Sequence, residues 1–208
     1  MKLPHSYYLN PDVLYLAKDL LGKVLYTQIN GQITAGIITE TEAYAGISDK
    51  ASHAYGGRRT QRIAPMYQDG GISYVYLCYG IHCLFNVVTG AAGEPNAVLI
   101  RSVEPYLGLE AIASRRAMPV TKPAISAGPG SAAKALGIDL SGNNLDLTGD
   151  TIWIEDHHIK FEANAVAATP RVGVAYAGDH ALLPWRYFVR GSKFVSKPNK
   201  TDDPLYGV

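Results

Sequence analysis

The sequence predicts an α+β fold: one curved antiparallel or mixed β-sheet, helices around it, and one β-hairpin that protrudes. Three observations carry this. Strand-like and helical runs do not alternate regularly along the chain. Several strands are joined by short turns, of which Asn30-Gly31 is the clearest. At 208 residues the chain fits a single domain over 1–208. A chain of that size buries roughly 70% of its unfolded surface and needs neither disulfide nor metal to fold.

Taken in order, Asn10-Pro11-Asp12 predicts a helix start, with a side-chain cap, a proline at the first helical position and an acid in the first turn. That helix should end near Gly22; Val13, Leu14, Ala17, Leu20 and Leu21 give it an apolar face. Lys23 to Ile29 and Gln32 to Glu42 read as strands joined by Asn30-Gly31, residues that tolerate the positive φ of a tight hairpin turn. Glu40 and Glu42, two apart, share one face of the second strand.

Residues 45–72 read as a long loop anchored by Tyr44, His53, Tyr55, Met66 and Tyr67, and such loops in compact domains are usually functional. Ser73 to Cys78 and Cys83 to Thr89 predict a second hairpin whose tip carries Tyr79, Gly80, Ile81 and His82. Large apolar groups on an exposed tip mark a contact surface. Ala97 to Val103 is a strand interrupted by Arg101, which must lie at an edge or meet a carboxylate. Tyr106 to Arg116 and Ala132 to Leu136 read as helices; Gly128-Pro129-Gly130-Ser131 before the second is a start that can hold an anion. Thr151 to Glu155, Arg171 to Ala175 and Trp185 to Val189 complete the strands, and the tail after Ser196 is expected to be partly ordered.

The net charge of +1 conceals segregation. Lys50, Arg58, Arg59 and Arg62 occupy a stretch without acids, as do Arg186, Arg190, Lys193, Lys197 and Lys200, whereas 135–158 holds five acids and no Lys or Arg. A one-sided positive face is the footprint of a polyanion binder. No apolar run approaches the roughly 20 residues of a membrane helix. Met1-Lys2-Leu3-Pro4-His5 is unlike a signal peptide, so a reduced, cytoplasmic protein is expected. Cys78 and Cys83 lack a second pair and the six histidines are scattered, so neither metal nor cofactor is expected. A serine elbow is also missing. What remains is a carboxylate, able to activate water, beside an arginine and aromatic faces, a combination that suits hydrolysis at a nucleobase.

Glu40-Thr41-Glu42-Ala43-Tyr44, Ser52-His53, Gly56-Gly57-Arg58, Tyr74-Val75-Tyr76-Leu77-Cys78-Tyr79-Gly80, Asn86, Leu99-Ile100-Arg101, Arg171-Val172-Gly173-Val174 and Tyr187-Phe188-Val189-Arg190-Gly191 follow one another in order. Together this series resembles the alkyladenine (3-methyladenine) DNA glycosylase family over about residues 10–197. The resemblance implies Glu42 as general base for the attacking water, held with Arg101 and the Val172 carbonyl. It implies Tyr44, His53 and Tyr76 as walls of a pocket for a flipped base, Asn86 at its floor against guanine's amino group, and Tyr79 as the wedge entering the duplex. Arg58, Arg59, Arg62, Arg190 and Lys193 are candidates for the DNA backbone. Glu40 is left as supporting or structural. Ile81 and His82 stand where the family can carry Met and Tyr, and Ser131 where a lysine often follows the Gly-Pro. The implied protein is a monomeric, monofunctional DNA glycosylase of base excision repair, acting on double-stranded DNA with damaged purines and nucleoid-associated if bacterial. Two other readings are a non-catalytic DNA-damage binding module and a carboxylate-based hydrolase of small nucleosides or glycosides.

Overall fold

A computed structural model describes residues 1–196. It contains helices α1 (His5–Tyr8), α2 (Val13–Asp19), α3 (Leu109–Arg116) and α4 (Pro129–Leu136). The strands are β1 (Val24–Ile29), β2 (Gln32–Tyr44), β3 (Ser73–Cys78), β4 (His82–Thr89), β5 (Asn96–Leu107), β6 (Ile152–Glu155), β7 (Val166–Thr169) and β8 (Arg186–Val189). All described strand pairings are antiparallel, in the order β3-β4-β5-β2-β1-β6, and the sheet is curled and antiparallel within an α+β fold. The far half of β2 leaves β1 and takes β8 as its neighbour, through Glu40, Thr41 and Glu42, while β7 pairs β8.

The β1–β2 turn is as the residues require: Asn30 and Gly31 have φ of 51° and 74°. Helix α2 begins later than expected. Its cap is Asp12, which accepts the Tyr15 N–H at 2.9 Å, while Asn10 instead accepts the Asp12 N–H. It ends at Asp19, because Gly22 must take φ of 87° against the Ile159 carbonyl, a space no side chain could share. Tyr106 and Leu107 prolong β5 rather than starting α3. Arg171–Ala175 is not a strand: the β8 edge is taken by Val166–Thr169, and the chain then turns through Ala175–Leu182 in 3₁₀ geometry. The 45–72 loop carries three 3₁₀ segments, Gly46–Ser48, Tyr55–Gly57 and Gln61–Tyr67. The tail after Ser196 lies outside the described residues.

The main core packs α2 and α4 on the sheet through Leu16, Leu20, Ile38, Ile100, Leu136 and neighbours. A smaller cluster, with Ile63, Met66, Tyr74 and Val88, pins the long loop against β3 and β4. Among the described residues no helix is long and apolar enough to cross a membrane. Cys78 and Cys83 are free thiols.

Candidate active site

Strand register assembles the site. Across β8, β2, β5, β4 and β3 one cross-strand row reads Arg186, Glu42, Leu99, Asn86, Tyr74. Directly opposite residues share a face, so the carboxylate and the amide sit on one surface, two strands apart. The β2–β5 register slips on both sides of Glu40: Glu40 pairs Ser102, but Thr41 pairs Ile100. Arg101 is therefore the extra residue of a bulge, a device that re-aims a side chain. It turns toward both glutamates.

Glu42 has no solvent exposure. Its Oε1 accepts the Val172 N–H at 2.7 Å and lies 3.2 Å from Arg101 Nη1, and its Oε2 accepts the Tyr44 hydroxyl at 2.8 Å. Burial, then the Glu42 charge, raises the Tyr44 phenol well above its ordinary value, so it acts as a donor. Val172 thus meets Glu42 through its amide.

Glu40, also fully buried, is held differently. Its Oε1 accepts Arg101 Nε, Arg186 Nε and the Ser196 hydroxyl at 2.7, 2.7 and 2.8 Å; its Oε2 accepts the Ser102 hydroxyl and the Ser196 N–H, each at 2.7 Å. Burial alone would raise its carboxyl, but the Arg101 and Arg186 charges and these hydrogen bonds outweigh burial and hold it below its ordinary value. Arg186, counted in the sequence among the charges of a basic face, is instead wholly inside. An arginine next to a buried carboxylate is drawn in with it, because either charge alone in the core would be costly.

Beside this pair lies a small, partly open recess lined by Tyr44, His53, Tyr74, Tyr76, Asn86 and Tyr176. Three of the aromatic residues are organised as a set: Tyr74 and Tyr76 are stacked at 5.4 Å, and His53 stands edge-on to Tyr76 at 4.7 Å. His53 Nδ1 is 2.9 Å from the Tyr74 hydroxyl. Burial, then the charges of Arg62 and Arg58, lowers the His53 pKa, and burial pushes the Tyr74 phenol up to about 12, with Arg62 opposing. The recess therefore presents neutral rings. The Asn86 amide donates to the Tyr74 carbonyl at 3.0 Å, which leaves its oxygen as the acceptor end. Glu42 does not line the recess. It lies one hydrogen bond behind Tyr44.

A second buried ion pair fixes the long loop to this wall. Asp49 takes both Nη atoms of Arg171, with Nη2 to Oδ1 at 2.8 Å. Arg171 also donates to the Ala43 carbonyl and lies 4.8 Å from the Tyr44 ring and 5.0 Å from the Trp185 ring. Asp49, Ser102, Tyr74, Tyr176, Arg186 and Ser196 were not singled out from the sequence. Arg171 and Tyr74 stood inside quoted motifs, but nothing local marks Ser196 as a partner of Glu40.

Tyr79 tops the β3–β4 hairpin at 89% exposure with φ of 50°, and Ile81 beside it is 72% exposed. His82 is already in β4 and packs near Gly130. Arg58, Arg59 and Arg62 are exposed, with Arg59 over Tyr67 at 4.0 Å and Arg62 over Tyr76 at 5.2 Å. Arg190 and Lys193 are exposed at the opposite end of the chain, beyond β8. At the start of α4 the Gly128 N–H is already given to Ser102 Oγ.

The profile described as methylpurine-DNA glycosylase (MPG) matches residues 7–193. The chain belongs to the methylpurine-DNA glycosylase family. It is 48% identical to a protein of Chlamydia felis over 92% of this chain and 97% of that one. It is 43% identical to one of Bacillus cereus (95% and 100%) and to one of Desulfitobacterium hafniense (94% and 98%). All three are described as "Putative 3-methyladenine DNA glycosylase". The family is one of DNA repair.

Proposed function

We propose that the protein flips an alkylated or deaminated purine out of duplex DNA into the recess and hydrolyses its N-glycosidic bond, leaving an abasic site. The observation that carries this is the difference between the two glutamates. A carboxylate has about four acceptor positions. Among the described residues Glu40 receives five donors, whereas Glu42 receives three, two of them hydrogen bonds and one an ion pair. Glu42 keeps capacity for a water.

In this reading Glu42 takes a proton from that water as its oxygen bonds to C1′, and Arg101 and the Val172 carbonyl help to hold it. The C1′–N bond breaks with its electron pair going to the purine, and the oxocarbenium-like sugar gains from the nearby carboxylate. A neutral deaminated purine takes up a proton from solvent as it leaves, whereas an N-alkylated, cationic purine leaves as a neutral base. Neutral Tyr44, His53 and Tyr76 faces favour such a ring, and Asn86 screens its edge. Because Glu42 sits behind Tyr44, the sugar must come up against the Tyr44 edge. Tyr79 would fill the stack left by the nucleotide, offsetting a cost of a few kcal/mol. The exposed arginines and Lys193 would meet phosphates. Among the described residues no lysine lines the recess, which supports a monofunctional hydrolase.

The test is base release from duplexes that each carry one defined purine lesion. Release of free base, with affinity falling steeply as salt rises, is expected. Protection of the lesion without release would instead mean a binding module. Unchanged turnover in Tyr79→Ala, with indifference to salt, would mean a hydrolase of small nucleosides.

A further inference from the structure

Arg101 has to be aimed. Its guanidinium is a rigid plane with five N–H donors, so fixing one edge decides where the remaining nitrogen points. The fixed edge is Nε and Nη2: Nε donates to Glu40 Oε1 at 2.7 Å, and Nη2 donates to Ser196 Oγ at 2.8 Å. The remaining nitrogen, Nη1, is the one 3.2 Å from Glu42. Ser196 is itself immobilised through every polar atom it has. Its N–H and hydroxyl donate to the two oxygens of Glu40, and its carbonyl accepts Arg186 Nη2 at 2.7 Å. Two residues earlier the chain is tied down again, by Thr39 Oγ1 donating to the Phe194 carbonyl at 2.6 Å.

We infer that Ser196 is a positioning residue for the Glu42 site: with Glu40 it clamps one edge of Arg101 so that Nη1 is presented to the Glu42 carboxylate. The segment beyond β8 thereby contributes to the site without touching the recess. The inference rests on Glu42 and Arg101 acting together on the attacking water.

Glu40 is a poor place to test this, since its loss removes an acceptor from two buried guanidiniums at once. Ser196→Ala is milder. The backbone contacts to Glu40 and Arg186 remain, and what is lost is the hydroxyl, which accepts from Arg101 Nη2 and donates to Glu40 Oε1. The distinguishing experiment is a double-mutant cycle with Arg101→Lys, whose ammonium lacks the two-edged fork. Single-turnover base release from methylated duplex DNA and binding to the same DNA are measured for both single variants, the double variant and the parent. Thermal unfolding confirms that each is folded at the assay temperature. Ser196→Ala should slow release about tenfold with binding unchanged within about twofold, and in the Arg101→Lys background it should slow release by less than about twofold.

If the two losses multiply fully, Ser196 is only a core residue and the inference is overturned. It is overturned equally if Ser196→Ala releases base at the parental rate. If Arg101→Lys alone leaves release unchanged, the pairing of Arg101 with Glu42 fails first, which separates failure of that reading from failure of the clamp. Should Ser196→Ala not fold, Ser196→Cys, of similar size but a far weaker hydrogen-bonding group, carries the same cycle.

Discussion

Glu40 and Glu42 are the same residue type, two positions apart on one strand, equally buried and both in contact with Arg101. Their surroundings nevertheless differ. Glu40 is surrounded by donors from four other residues, brought from β5, β8 and the segment that follows. Glu42 meets one peptide N–H, one phenol and the far nitrogen of the shared arginine. The saturated carboxylate is held as a structural ion; the under-coordinated one is the reagent of the proposed reaction. Burial and sequence spacing do not distinguish them, and coordination does.

The largest expected effect of breaking this comparison is in Glu42→Gln. Base release should fall by about three orders of magnitude or more, roughly 4 kcal/mol in barrier height, while lesion binding and the unfolding midpoint stay close to parental. Substantial residual turnover would remove Glu42 from its role. Glu40→Gln should do the reverse. Losing the carboxylate shared by two buried guanidiniums should cost about 3–5 kcal/mol of stability, read by urea denaturation, and release by the fraction that stays folded should slow far less than in Glu42→Gln, by about the tenfold expected of a loosened Arg101 clamp. Comparable stability of the two variants would erase the distinction.

A smaller effect is expected in Tyr44→Phe, which removes the sole described donor to Glu42 Oε2 but keeps the ring. Release should change by about tenfold, the worth of one hydrogen bond to a charged group, without loss of lesion binding. A drop in binding alone would mean that Tyr44 serves only as a wall.

The smallest effect is in acid. Glu40 titrates lower in the fold than its ordinary value near 4.5, as does Asp49 relative to 3.8. Their contribution to stability is full above those ordinary values and is lost as the pH falls from there through the lower folded-state values. Stability measured from pH 6 to pH 3 should therefore fall below about pH 4.5, and the fall should be shallower in Glu40→Gln. An equally steep fall would assign the acid sensitivity elsewhere.

Much of this was legible locally. Asn30-Gly31 announced its turn because few other dipeptides accept two positive φ values. The Tyr79 tip could be read because apolar residues at a turn between two strands have nowhere to go but outward. Arg101 had to find a carboxylate, since an apolar strand cannot carry an unpaired charge. Where local reading failed, two options had similar local cost: Asn10 or Asp12 as the cap, Arg171–Ala175 or Val166–Thr169 as the strand. In the second case pairing with β8 decided, not propensity.

The sequence by itself determined the two hairpins, most of the strands and the presence of two acids and several arginines near one strand end. Only the tertiary structure decided which acid each arginine serves. Glu40 is 61 residues from Arg101, 146 from Arg186 and 156 from Ser196, and the Val172 N–H reaches Glu42 across 130. Neutralising a buried charge is a long-range matter, settled by whichever donors the fold brings within hydrogen-bonding distance, and no local pattern encodes it.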